Sequence, residues 1–248
     1  MRAKKVKLRQ PILIAGLPGI GLVSKLTVDN LVKELKAKKI AALHSPFFPN
    51  QVLAMKGGKL KPFTIKLYYA KAGKQDLVLL TGDIQPLTVE GQYEVCNKIL
   101  SYFNSIGGKK VIGMAGYSTA NVGKTPKVFC AATSKAYFVQ LKAIGGQKLA
   151  VHVPIVGMAG MLPALAKNYG MEGACLLAET PGTTIDSNAA TALTGLLEKM
   201  LGTKINSTNL AKKASKTNDL IQKIEAQVQQ QQMPQMEPAK KANLSYIH

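Results

Sequence analysis

Tryptophan is absent from this 248-residue chain, and aromatic residues make up only 6% of it. Acidic residues are also few, 13 against 33 Lys and Arg, so the formal charge is +20 at pH 7. The lysines are scattered through most segments, whereas a nucleic-acid groove usually shows a basic stripe with interleaved aromatic residues. The scattered charge therefore does not identify nucleic acid as a partner, and a nucleic-acid-binding protein is an alternative that rests on charge alone. Diffuse basic charge favours weak, salt-sensitive attraction to any acidic surface, including that of a protein partner.

Cysteine is scarce, and Cys96, Cys130 and Cys175 are far apart in apolar runs. Without a CxxC pair or a Cys/His cluster, neither a zinc site nor a disulfide framework is expected. A long apolar run is also missing, because Pro and Gly interrupt the longest low-charge stretch, residues 151–166. We expect a cytoplasmic protein with three buried thiols, without metal or cofactor, and without a membrane partner.

Short apolar runs alternate with segments of helical periodicity through most of the chain, which predicts a mostly parallel sheet flanked by helices. The predicted strands include residues 11–17, 63–70, 76–82, 110–117, 127–133 and 173–182, and the predicted helices include 24–36, 89–103, 135–144 and a segment capped by Ser187 or Asn188. We therefore expect one α/β domain over residues 1–202.

The sequence changes character after Gly202. Residues 203–232 are predicted to form a helix with one apolar seam, made of Leu210, Ala214, Thr217, Ile221, Ile224 and Val228. Such a seam either packs against a neighbouring chain, as in a coiled coil, or lies on its own domain. Pro234 and Pro238 then end helical order, so residues 233–248 are predicted to be a flexible tail.

Candidate functional residues fall at the carboxyl ends of predicted strands, where open α/β sheets bind ligands. The loop "GLPGIG" contributes Gly16, Gly19 and Gly21, but its spacing matches neither a dinucleotide fingerprint nor a P-loop. Asp83, Glu94 and Glu179 could act as acids or bases there. The alternative, which we favour, is that these carboxylates are structural and that the chain has no catalytic residues.

Five stretches together resemble the proteasome assembly chaperone family in its archaeal-type form: residues 16–23, 81–100, 112–121, 157–182 and the helix that follows. This resemblance implies a three-layer α/β/α fold related to nucleoside phosphorylases and hydrolases, a homo-oligomer such as a ring, in some cases joined by a paralogue, and no enzyme activity. It also implies that the partners are the α-subunits of the proteasome core particle. An enzyme or binding protein for a phosphate- or nucleotide-bearing molecule is the alternative on such a fold.

The family docks on the proteasome through a C-terminal tail with an apolar residue followed by Tyr as its second-to-last residue. This chain ends in Leu244-Ser245-Tyr246-Ile247-His248, so its Tyr is third from the end and the carboxylate is displaced by one residue, roughly 3.5 Å. The resemblance implies that Leu244, Tyr246, Ile247 and His248 contact the partner. Either the shifted Tyr246 or Ile247 would be the anchor, or the tail docks elsewhere.

Overall fold

A nine-stranded sheet forms the centre of the protein in a computed structural model that describes residues 1–4, 6–212 and 214–215. The strands are β1 (Arg2–Ala3), β2 (Ile12–Gly16), β3 (Lys38–Leu43), β4 (Val52–Met55), β5 (Lys59–Pro62), β6 (Ile65–Ala72), β7 (Gln75–Gly82), β8 (Lys110–Ser118), β9 (Val128–Ala132), β10 (Gln147–Lys148) and β11 (Glu172–Thr180). The helices are α1 (Val23–Glu34), α2 (Val89–Ser105), α3 (Lys135–Ala143), α4 (Met158–Ala166) and α5 (Ser187–Leu201), with 3-10 turns at Ile20–Leu22 and Lys167–Tyr169.

The strand order in the large sheet is β1-β3-β6-β7-β2-β8-β11-β9-β10, and β4 pairs only with β5. The predicted α/β fold is confirmed, and the sheet is mixed. Parallel pairing is confined to the central strands β7, β2, β8 and β11 and to the β9–β10 pair, while the other pairs are antiparallel. The reason is local at β6 and β7, because the turn at Gly73-Lys74 is too short for a parallel crossover.

Helices cover both faces of the sheet and give three layers. On one face, α1, α3 and α5 bury apolar side chains such as Val28, Leu141 and Leu193 against the sheet. On the other face, α2 and α4 do the same with side chains such as Ile99 and Leu162. Central strand residues are buried from both sides, which explains their continuous apolar runs.

Helix α4 lies unusually close to the sheet because two strand residues beneath it are glycines. A Cβ built on Gly113 would lie 1.8 Å from the Ala159 carbonyl oxygen, and one on Gly173 would lie 1.9 Å from the Pro163 carbonyl oxygen. Pro163, inside α4, lacks a backbone N–H and therefore cannot donate the usual helical hydrogen bond to the Ala159 carbonyl, four residues earlier. The glycines therefore set the depth of this helix.

Capping side chains start three of the helices. Thr88 accepts from the amide of Gly91 at α2, and Ser134 accepts from the amide of Tyr137 at α3. At α5 the cap is Asp186, which accepts from two backbone amides at 2.9 Å. The predicted cap at Ser187 or Asn188 is therefore wrong by one or two residues, because the Asp186 side chain reaches the amides of the first turn itself.

The first two positions of the predicted C-terminal seam are described, and both are buried. Leu210 and Ala214 belong to the apolar core formed by α1, α3 and α5. The remaining seam positions, Thr217, Ile221, Ile224 and Val228, lie outside the described residues.

Candidate functional site

A cavity of about 630 Å³ opens at the carboxyl ends of the parallel strands. Its walls come from the loop after β2, the end of β8, the loop after β7 and the segment that leads into α4. The chain leaves β2 towards β3 on one side of the sheet and leaves β8 towards β9 and β11 on the other side. The cavity therefore lies at the topological switch point, where open α/β sheets characteristically bind ligands.

The glycine loop forms one wall of this cavity. Gly16 lets β2 approach α1, because a Cβ there would lie 2.1 Å from the Ser24 carbonyl oxygen. Gly21 has a φ of +60°, and Leu22 adopts the same left-handed conformation at +48°. Gly19 faces open space and lines the cavity. The loop is thus a tight strand-to-helix turn.

Gln85 ties three walls of the cavity together, and the sequence analysis missed it. Its Nε2 donates to the Pro18 carbonyl at 2.7 Å, and its Oε1 accepts from the Met158 amide at 3.0 Å. The second bond caps α4, whose own N-cap residue Gly157 has no side chain for that role. The only signal in the sequence is a Gln between Ile84 and Pro86 in an otherwise apolar segment.

The cavity lining is chemically plain. Tyr117 is the one titratable side chain among the described lining residues, and most of the others are Gly, Ala, Pro, Leu, Ile, Val or Met. Neutral polar groups come from Ser24, Ser118, Gln85 and Gln92. Such a lining suits an apolar group and offers a phosphate no cationic side chain.

The structure separates the predicted carboxylates from this cavity and from each other. Asp83 pairs with Lys61 at 2.8 Å and accepts from the Thr64 amide, so it fastens the β4–β5 segment to the end of β7. Glu94 pairs with Lys98 one turn along α2. Neither residue lines the cavity.

Glu179 is buried in β11 and has a structural partner. Its Oε2 accepts from the Lys127 amide at 2.9 Å, and its own amide donates to the Lys127 carbonyl at 2.9 Å. These two bonds fix the start of β9 beside β11. The described residues also contain no group of three His, Cys, Asp or Glu side chains able to hold a metal ion.

Comparisons with known proteins identify the family to which this chain belongs. The model of the PAC2 family matches residues 13–225. The chain belongs to the PAC2 family. Uncharacterized protein MJ1210 of Methanocaldococcus jannaschii is 33% identical over 249 residues, covering 98% of this chain and 96% of that protein.

Solved structures of similar proteins extend the match to three dimensions. Pyrococcus furiosus PbaB, described as an archaeal proteasome activator, is 34% identical with a TM-score of 0.81, covering 90% of this chain and 96% of PbaB. Pyrococcus furiosus PbaA, described as an archaeal homolog of proteasome-assembly chaperone, is 28% identical with a TM-score of 0.75, covering 91% and 96%. The resemblance seen in the sequence is confirmed.

Exposed apolar side chains surround the cavity mouth of this PAC2-family chain. They are the exposed lining residues Ile20, Leu87 and Val156, which we call the apolar rim. Val156 is the most exposed of them, at 86% of its surface. Clustered exposed apolar residues are typical of surfaces that bind other proteins.

Two further points concern the remaining predictions. The tail residues Leu244, Tyr246, Ile247 and His248 lie outside the described residues. Across the part of the chain that the structure describes, none of the helices combines the length and apolar character that crossing a membrane requires.

Proposed function

We propose that this protein is a non-enzymatic proteasome-binding factor or assembly chaperone. The likeness to PbaB, an archaeal proteasome activator, over nine-tenths of the chain is the observation that carries this proposal. The cavity chemistry supports it, since the lining holds an apolar wall and one phenol instead of an acid/base pair. The partner would be the α-ring of the proteasome core particle.

The proposed contact is the C-terminal tail, residues 233–248, with Leu244, Tyr246 and Ile247 as anchors. Moving Leu, Tyr and Ile side chains out of water lowers the free energy of the system, so their burial in a pocket favours binding. Tyr also carries a hydroxyl that can form a hydrogen bond at the edge of a pocket. Fully extended, this segment reaches at most about 50 Å, so the globular domain need not touch the α-ring.

One such tail would bind weakly, because ordering a short peptide costs conformational entropy. Several tails presented by a homo-oligomer would raise the effective concentration at the α-ring and hence the overall affinity. The proposal therefore includes self-association of the domain, with or without a paralogue.

The alternative function, binding or turnover of a phosphate- or nucleotide-bearing molecule, finds little support in the site geometry. Asp83, Glu94 and Glu179 have separate partners, and among the described residues no Lys or Arg lines the cavity. A thermal-shift screen with inorganic phosphate, nucleosides and nucleotides tests it, because a ligand of the native state raises the melting temperature. We expect no shift, and a saturable shift would revive the alternative.

The direct test of the proposal is capture of the assembled core particle and of free α-subunits. The full chain is compared with a chain ending at Gln232, and light scattering shows whether the two have the same oligomeric mass. We expect capture by the full chain alone. Capture by neither chain would refute the proposal, and equal capture by both would refute the tail contact.

A further inference from the structure

The β4–β5 hairpin, residues 52–62, is unusual because the described residues leave both of its faces exposed. It forms a two-stranded sheet of its own. Val52, Leu53, Met55 and Leu60 are all exposed, Leu60 at 73% of its surface. Isolated two-stranded hairpins are at best marginally stable in water, and one that exposes four large apolar side chains lacks a hydrophobic surface to pack on.

The hairpin is held in position at its base. Lys61 in β5 pairs with Asp83 at the end of β7, and the Asp83 amide donates to the Thr64 carbonyl at 3.1 Å. Ile65, the first residue of β6, pairs with Gly82, the last residue of β7. The hairpin therefore projects from the same edge of the sheet that carries the cavity.

Charge distinguishes the hairpin from the cavity mouth. Residues 52–62 contain Lys56, Lys59 and Lys61 and no acidic residue. Lys56 and Lys59 make no ion pair within the part of the chain that the structure describes. The hairpin thus presents apolar side chains together with two free positive charges.

The cavity mouth has the opposite character. The segments that form it, residues 17–24, 84–93, 114–118 and 151–159, contain no Lys or Arg, although the whole chain has 33 such residues. Their one acidic residue, Glu90, does not line the cavity itself but lies two residues before the lining residue Gln92; it is exposed at the start of α2 and forms no ion pair among the described residues. An apolar cavity with an apolar rim and one free carboxylate complements an apolar hairpin with free lysines.

We propose that the hairpin of one copy docks in the cavity of a neighbouring copy. Leu60 and its apolar neighbours enter the cavity and cover the apolar rim, and Lys56 or Lys59 lies near Glu90. Each copy carries both surfaces, so the contact is heterologous and repeats from copy to copy, which closes into a ring when the rotation allows. This contact specifies how the self-association assumed in the proposed function occurs, and it does not depend on the tail.

Engineered cysteines test the contact directly. The native thiols should contribute little to the cross-linking reaction, because Cys96, Cys130 and Cys175 are all buried. Burial also raises the pKa of Cys96 and Cys175 to about 12. Two full-length chains with different tags, one carrying Leu60→Cys and the other Val156→Cys, are co-expressed and treated with a short bis-maleimide. We expect a cross-link between the two tags.

The matched control replaces Val156→Cys by Val139→Cys, which is also exposed but lies on α3, away from the cavity. We expect a several-fold lower yield with this pair. Equal yields, or no cross-link with the first pair, overturn the proposal. A cross-link that forms only after removal of residues 233–248 also overturns it, because the tail would then be the occupant of the cavity.

A charge exchange gives a second measurement that does not depend on cross-linking. Glu90→Lys should lower the oligomeric mass measured by light scattering, and adding Lys56→Glu and Lys59→Glu should restore it. An unchanged mass in Glu90→Lys contradicts the proposal. Because tail capture of the core particle is measured separately, failure of this contact and failure of the proposed function are distinguishable.

Discussion

Replacing Gly113 by Ala tests whether α4 packs as closely on the sheet as the structure shows. The position of α4 also fixes the segment that leads into it, which forms one wall of the cavity. The new Cβ would lie 1.8 Å from the Ala159 carbonyl oxygen and 3.1 Å from Pro163 Cδ. Ordinary contact begins near 3.4 Å, so α4 must move by about 1.6 Å. The obstacle is backbone, which no side-chain rotation can relieve. Overpacking typically costs about 1–3 kcal/mol, and we expect a loss at the upper end of this range.

For a chain of this length, about 3 kcal/mol corresponds to a fall in melting temperature of roughly 6–12 °C. The control is Gly195→Ala in α5, where a Cβ would meet nothing within 4 Å. Ala is favoured over Gly inside a helix, so this variant should gain about 0.5–1 kcal/mol. Differential scanning calorimetry measures both variants. If Gly113→Ala melted at or above the temperature of the parent protein, the close seating of α4 would be refuted.

Three more predictions concern local interactions. Asp186→Ala should lower the free energy of unfolding by about 1 kcal/mol in urea titrations, because two amides of α5 lose their cap; no loss would contradict this role. Glu179→Ala should cost about 1–3 kcal/mol by the same measurement, since the Lys127 amide loses its acceptor, whereas Glu179→Gln should cost less because it retains an oxygen there. Burial raises the pKa of the Cys96 and Cys175 thiols from 9.0 to about 12. These thiols should therefore react with Ellman's reagent at pH 8 only as fast as the protein unfolds. Between pH 9 and 12 these thiols ionise in the unfolded chain but stay protonated in the folded protein. The free energy of unfolding is therefore unaffected by them below pH 9 and should fall as the pH rises from 9 towards 12.

Periodicity predicted the elements of the central sheet well. The expected strand 76–82 is β7, Gln75–Gly82, and the expected helix 89–103 is α2, Val89–Ser105. Long apolar runs and a regular helical repeat are strong local signals, so these elements could be recognised without knowing their neighbours. The pairing of strands is a different matter, because periodicity does not reveal the partner of a strand.

The candidate site was only partly predictable. The expectation that the carboxyl ends of the strands form a cleft agrees with the cavity, since strand direction and order place it there. The roles of Asp83 and Glu179 depend on Lys61 and on the Lys127 amide, which are distant in sequence. Gln85 is a neutral side chain whose bonds to Pro18 and Met158 exist only in the folded protein, so no sequence motif marked it.

The exposed hairpin is the feature that sequence reasoning understated. Val52 and Leu53 belong to a short apolar run, yet both side chains are exposed. Hydrophobicity predicts that a side chain will be buried, but it does not say whether the covering surface belongs to the same chain.

The central claim is that the tail binds the proteasome core particle. The most direct measurement uses single-residue substitutions in that tail. Core particle is immobilised, and the dissociation constants of the full chain, Tyr246→Ala and Ser245→Ala are measured by surface plasmon resonance. We predict that Tyr246→Ala weakens binding by at least about tenfold, the equivalent of 1.4 kcal/mol, while the neighbouring Ser245→Ala leaves it nearly unchanged. Equal affinity of all three chains would contradict the account.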